Sequence, residues 1–282
     1  MISPSITVAV ITYNRPERLA RCLESIKDQI YPPEYILVED DGGGDQESHD
    51  IAVDSGAIWI GRQRTMLRGE EIRNETRSIN HAYDQAVFEH SPNNRIIAVV
   101  QADHILAPDY FLWLARAYTP HTVQIGLTHH VPVGGHVPSQ SSLINAMHIP
   151  DGEARYEKYL LMGRRILIET ADWFLMDGLD FALSPTCWLP FDPFFIGHGH
   201  GEMEWALRSM IAGVRFYINP MMRLWHPDKD ESTTLTPKIQ AEVKRSQKYL
   251  EEKYGKNVWG RSVGSWLGVE EKLRELRGGN QA

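Results

Sequence analysis

The chain has 282 residues, 42% of them hydrophobic and 23% charged, with 29 Lys+Arg against 37 Asp+Glu for a net charge of −8. This is ordinary globular composition, sized for one large domain or two small ones at about 150 residues each, and its acidic balance argues against general coating of nucleic-acid phosphates. Two cysteines are too few for a disulfide framework, and no apolar run approaches the roughly 18–20 residues that span a bilayer. Met1-Ile2-Ser3-Pro4 lead straight into an apolar run with no basic segment or signal-peptide core, so a cytoplasmic protein without stable membrane insertion is expected.

Ile6 to Thr12 is a β-branched apolar run suited to a strand covered on both faces. Tyr13-Asn14-Arg15-Pro16 breaks it, and Pro16 fits the first turn of a helix, where its missing N–H costs nothing. Leu19, Cys22, Leu23 and Ile26 follow at helical spacing, which places the Cys22 thiol in the core. Pro32-Pro33 ends that helix. Tyr35 to Val38 reads as a second strand closed by the acidic, glycine-rich run from Glu39 to Asp45, and Ala57 to Ile60 as a short third. Ile79, Ala82, Tyr83 and Ala86 mark a helix. Arg95 to Val100 is a fourth strand ending at Gln101-Ala102-Asp103-His104, and Pro108-Asp109-Tyr110 opens another helix through Leu112 and Ala115.

The second half is less regular. Pro132, Gly134, Gly135, Pro138, Pro150 and Gly152 predict a long mobile loop from His129 to about Asp151, with a helix over Tyr156 to Glu169. Pro190 to Gly201 is turn-rich and feeds a helix from about Glu202 to Ala212, ended by Gly213; Val214 to Ile218 is strand-like. Pro237 to Tyr254 is an amphipathic helix stopped by Gly255, and Val269 to Arg277 reads as a short charged helix.

Strands alternating with helices predict an α/β protein with a mainly parallel sheet, in which ligands collect beyond the carboxyl ends of the strands. Both acidic clusters stand directly after apolar strands, which makes them one candidate site. Asp40 and Asp41, beside glycines, can accept hydrogen bonds from a base or ribose; an Asx turn at the surface is the alternative. The carboxylate and imidazole of Asp103 and His104 suit Mn²⁺ or a similar divalent ion able to neutralise a diphosphate leaving group, with Mg²⁺ a second choice.

Thr7 to Pro16, followed by Leu19, Cys22, Leu23, Ser25 and Ile26, resembles the opening of family 2 glycosyltransferases with the GT-A fold. Ile36 to Gly42 resembles their next strand and its Asp-Asp-Gly turn, and Val99 to Tyr110 resembles the strand carrying their Asp-x-Asp metal motif. The resemblance implies a GT-A (Rossmann-like) sheet flanked by helices with a C-terminal helical extension. Residues 1–120 would form the nucleotide-sugar-binding half, 121–235 the acceptor-binding and catalytic half, and 236–282 the extension. It implies that Thr12, Tyr13 and Arg15 line the nucleotide pocket with Tyr13 near the base. Asp40 would accept from uracil or another base, Asp41 would shape the turn, and Arg73 and Arg77 would serve the phosphates. Asp103 would hold the metal. Gln101 stands where the first carboxylate of Asp-x-Asp is expected and, with Ala102, falls at the ribose; His104 would supply the missing ligand.

Pro190 to Trp205, then Arg208 and Ala212-Gly213-Val214, resembles the glycine-rich acidic segment of GT-A galactosyl- and N-acetylhexosaminyltransferases. That resemblance makes Glu202 the base and places Glu204 two positions on as a second catalytic candidate. His198 and His200, one glycine apart, suit a metal or, as favoured here, the acceptor side, where Trp205 is also expected. The resemblance also makes His226, in Trp225-His226-Pro227, the third metal ligand. A carboxylate at a helix N-terminus is favoured by the dipole and stays ionised to take a proton from an acceptor hydroxyl, although plain capping is the alternative. Trp173, Trp188 and Trp205 can stack on a sugar or pack in the core. The expected activity is metal-dependent, inverting transfer from a UDP-sugar to a glycan, protein, small-molecule or modified nucleic-acid acceptor. A nucleotidyltransferase acting on a sugar phosphate and a non-catalytic nucleotide- or carbohydrate-binding module are the alternatives.

Overall fold

The computed structural model describes residues 4–42, 44–61, 65–67, 70–72, 74–88, 95–131, 168–170, 180–195, 201–227 and 237–254. In chain order these form β1 (Ser5–Thr12), α1 (Pro16–Lys27), β2 (Tyr35–Asp40), α2 (Gln46–Asp54), β3 (Ile58–Trp59), a small hairpin of β4 (Thr65–Leu67) and β5 (Glu70–Ile72), α3 (Glu75–Phe88), β6 (Arg95–Gln101), β7 (Ile105–Leu106) and α4 (Tyr110–Ala117). There follow β8 (Thr122–Val131), β9 (Ile168–Thr170), β10 (Phe181–Leu183), α5 (Gly201–Ile211), β11 (Arg215–Pro227) and α6 (Pro237–Tyr254).

One mixed sheet has the order β3-β2-β1-β6-β10-β8-β11-β7, with β9 also on β11. Its first four strands are parallel, as the alternating pattern predicts. The parallel run stops at β10, which lies antiparallel between β6 and β8. Three residues are too few to show a period, so this strand is invisible in the sequence. The sheet passes without a break from the first 120 residues into the second half.

The strand period of two explains the continuous apolar runs. Ile6, Val8 and Val10 of β1, with Ile96, Ala98 and Val100 of β6, pack under α1 and α4 against Leu19, Cys22, Leu23, Ile26 and Phe111. The intervening Ala9, Ile11, Ile97 and Val99 pack on the other face against Ile79 and Tyr83 of α3 and Met203 and Trp205 of α5. A sheet buried on both faces needs apolar residues at nearly every position; in Ile6 to Ile11 of β1 the one polar residue, Thr7, is fully buried and accepts from Arg95.

Three expectations change. His129 to Val131 belong to β8 rather than to a loop, and Ile168 and Glu169 lie in β9 rather than in a helix. The strand expected over Val214 to Ile218 continues through Pro220 to Pro227, because a register shift between Ile218 and Arg223 absorbs a residue that cannot donate to the ladder. The rest of the expected 129–151 loop, most of the 156–169 helix and the 269–277 helix lie outside the described residues.

Candidate active site

The site forms where β1, β2 and β6 end. Thr12 closes β1 at 2% exposure, and its hydroxyl has no hydrogen-bond partner among the described residues, while its carbonyl accepts the Asp41 amide at 2.7 Å. Asn14 then takes a left-handed φ of 47°, a conformation Asn tolerates better than most residues, and this turns the chain into α1. Arg15 caps that helix with its backbone carbonyl, which accepts from Leu19 at 2.9 Å, and Pro16 occupies the first turn. The Arg15 guanidinium is ion-paired with Asp103, so residues 88 positions apart meet. Tyr13 is 36% exposed beside it.

The two aspartates of the second turn divide their work. Asp40 folds back on its own loop, accepting from the Gly42 and Gly44 amides, and Gly42 holds a φ of 117° that an L side chain rarely adopts. Asp41 reaches out of the turn. Its Oδ1 accepts from the Asn74 amide at 3.1 Å and the Ser78 hydroxyl at 2.7 Å, which pins the start of α3 to the strand end. Asp41 thus docks a helix against the strand end.

Asp103 and His104 follow β6 in a tight turn. Leu224 and Trp225 of β11 pair antiparallel with Leu106 and Ile105 of β7, and the next step of that register sets His226 opposite His104. A ligand-type atom from each of Asp103, His104 and His226 lies within 4.8 Å of the other two. His226 Nε2 stands 3.5 Å from Asp103 Oδ2, Arg18 contacts the same oxygen at 3.5 Å, and the His104 and His226 rings meet edge to face at 4.9 Å. Burial works to raise the Asp103 carboxyl, but the His226 contact and the charges of His104, His226 and Arg15 outweigh it and hold the group well below the ordinary carboxylate range. Asp103 Oδ1 is buried with no hydrogen-bond partner among the described residues. One carboxylate and two imidazoles are the mixed oxygen and nitrogen donors that suit Mn²⁺ better than Mg²⁺.

Asp180 is a residue the sequence reading missed. It sits just before β10, and its Oδ1 lies 2.8 Å from His104 Nδ1. Both side chains are within 3% of full burial, which pushes the Asp180 carboxyl up despite the histidines. A lone Asp ahead of a three-residue strand carries no motif that could have revealed it.

Gln101 donates to Glu75 at 3.1 Å, which ties the end of β6 to the start of α3. The start of α5 is wedged against the same place. Thr76 donates to the Phe195 carbonyl at 3.0 Å, and a Cβ on Gly201 would come within 2.7 Å of Thr76 Cγ2, so only glycine fits there. Glu202, half-buried in the first turn of α5, therefore stands one residue from Gly201, which abuts Thr76 of the α3 start that Asp41 and Gln101 hold. Arg77 is exposed on α3. Arg73, His198, His200 and Trp173 lie outside the described residues.

Three residues considered for the site belong to the framework instead. Trp205 is 0% exposed, donates to the Leu189 carbonyl at 2.6 Å and stacks on Phe191 at 5.1 Å, so it cannot offer a face to a sugar. Trp188 stacks on Tyr83 at 3.8 Å. Glu204, also 0% exposed, points to the opposite side of α5 from solvent. It accepts from Arg208 at 3.1 Å, Lys253 at 2.7 Å and Tyr254 at 2.7 Å, which leaves it no role as a base and makes it the anchor of α6. Asp192 extends the anchor through Lys253 and Tyr249. Glu204→Ala should therefore lower unfolding free energy by roughly 2–3 kcal/mol, at or below the bottom of the range of about 3–5 kcal/mol for breaking a buried pair, because Lys253 keeps 30% exposure. Chemical denaturation measures this, and a stability change under 0.5 kcal/mol would remove the anchoring role.

The sequence matches the glycosyl transferase family 2 profile over residues 7–177, more than half of the chain. The chain belongs to that family and has a GT-A fold. A solved structure of GalNAc-T7 with UDP, GalNAc and Mn²⁺ superposes with a TM-score of 0.56 over 98% of this chain, at 12% identity. The chain spans 55% of the length of that structure, and the likeness is one of fold. No curated protein sequence matches. The family match ends before α5, so Glu202 and His226 lie beyond it.

Proposed function

We propose that this glycosyltransferase moves a hexosyl or N-acetylhexosaminyl group from a UDP-sugar to an acceptor hydroxyl, with inversion at the anomeric carbon. The observation that carries the reading is the cluster of Asp103, His104 and His226, set within contact distance of Arg15 at the end of β1. The structurally similar GalNAc-T7, solved with UDP and Mn²⁺, supports UDP as the nucleotide and Mn²⁺ as the ion.

Tyr13 and the Thr12 hydroxyl would border the nucleoside, with Asp40 exchanging its own loop amides for the base. Arg15 and Arg18 share the Asp103 carboxylate. Both guanidinium groups are about a quarter exposed and can turn to a diphosphate with little desolvation cost. Asp103, His104 and His226 would hold the divalent ion, and the buried Asp103 Oδ1 gives it an oxygen ligand that no described group uses. The chemistry such an ion supplies when bound is neutralisation of the charge that develops on the departing diphosphate. Glu202 would take the acceptor proton as the acceptor oxygen bonds to the anomeric carbon. The bond from that carbon to the UDP oxygen breaks on the opposite face, and UDP leaves with the electron pair.

A thermal-shift series tests the donor. UDP at a hundredfold excess over its Kd, with Mn²⁺ present, should stabilise by about 2.7 kcal/mol and raise Tm by about 5 °C. Release of UDP from one UDP-sugar should accompany transfer. No shift with any nucleoside diphosphate overturns the reading, and release of pyrophosphate from a nucleoside triphosphate as it joins a sugar phosphate would make the chain a nucleotidyltransferase.

A further inference from the structure

Asp180 is a buried carboxylate, at 5% exposure, yet the proposed reaction gives it no task. A carboxylate withdrawn from water costs several kcal/mol, and apolar replacements of similar size are often as stable or more so, so stability alone does not account for it. Its position is fixed by β10. Phe181 pairs with Val99 of β6, which sets Asp180 beside the last turn of that strand, where the chain bends into Asp103 and His104. Oδ1 meets His104 Nδ1 at 2.8 Å, and Oδ2 has no hydrogen-bond partner among the described residues. The carboxylate also lies within electrostatic reach of His226 and Asp103.

We propose that Asp180 is a positioning residue that holds His104 as the Nδ1–H tautomer, so that Nε2 is the nitrogen presented to the divalent ion. A carboxylate behind an imidazole fixes the ring orientation and strengthens the other nitrogen as a donor. This device offsets the weakness of the site, which carries Gln101 in place of a second carboxylate. The inference rests on the reading that Asp103, His104 and His226 hold the ion.

The test uses the full chain with two variants, Asp180→Ala and the near-isosteric Asp180→Asn. Nitrogen-15 NMR of histidine-labelled, ion-free wild type should show His104 protonated at Nδ1 and not at Nε2, with the resonance assigned by its loss in His104→Gln. Mn²⁺ titration followed by electron paramagnetic resonance in the presence of UDP should show an affinity 10–100-fold weaker in Asp180→Ala. Asp180→Asn should keep the tautomer through its amide oxygen and lose several-fold. Tm should not fall with the affinity. Wild-type Mn²⁺ affinity in either variant, or His104 protonated at Nε2 in wild type, overturns the assignment of Asp180 alone. Failure of wild type to bind Mn²⁺ with UDP overturns the ion-site reading itself, and the role of Asp180 with it.

Discussion

Glu202→Gln is expected to lower sugar transfer at saturating donor by at least about 100-fold while leaving UDP binding in place. A positioned general base contributes about 10²–10⁴-fold, and glutamine of the same shape cannot accept the acceptor's proton. The substitution is structurally mild. Glu202 lies in the first turn of α5, where losing a negative charge near the helix dipole costs about 0.3–1 kcal/mol, too little to unfold the domain. Glu204, two residues on, is the internal control. Its carboxylate is spent on Arg208, Lys253 and Tyr254, so its neutralisation should act on stability and spare the turnover of the folded fraction. Comparing kcat for the two variants separates the roles. Wild-type kcat in Glu202→Gln would return this residue to simple helix capping.

Asp103→Asn is expected to reduce transfer by a similar or larger factor, through the leaving group rather than the acceptor. The carboxylate is the only anion among the three clustered ligand groups. Removing it leaves two imidazoles and a weak amide oxygen for a divalent ion. Loss of about 3 kcal/mol of charge stabilisation on the diphosphate is about a 100-fold loss in rate. Folding should survive, because the partners left behind, Arg15 and Arg18, are 26% and 27% exposed and can be taken up by water. The expected signature is loss of Mn²⁺ stimulation together with the fall in kcat. A variant that still turns over at the wild-type rate and still responds to Mn²⁺ would detach Asp103 from the chemistry.

The first half of this architecture is legible in sequence because each element announces itself locally. β1 and β6 are mostly apolar runs, α1 shows its buried stripe of Leu19, Cys22, Leu23 and Ile26, and the polar clusters at the strand ends stand out against them. The second half is held by short or irregular pieces. β10 has three residues, β7 has two, and β11 hides a bulge over Pro220, so neither the antiparallel insertion nor the extent of the last strand could be read from periodicity. The site divides the same way. Asp103, His104 and His226 were recognisable by residue type and order, and the structure brings them together. Asp180 and Glu75 were not, since their importance comes from what they touch. Trp205 and Glu204 stand in a segment whose pattern points to the site, yet the helical repeat turns them inward, where aromatic packing and an ion cluster claim them. Gln101, an apparent defect in an acidic motif, is bound to Glu75 and helps hold α3 to the end of β6.

The most direct measurement is the anomalous diffraction of Mn²⁺ in crystals grown with UDP. The account predicts one strong peak bounded by Asp103, His104 and His226, with the diphosphate beside it, Arg15 turned from Asp103 toward the phosphates, and the nucleoside against Thr12 and Tyr13. Mn²⁺ at some other set of side chains, or UDP bound away from the turn after β1, would contradict it.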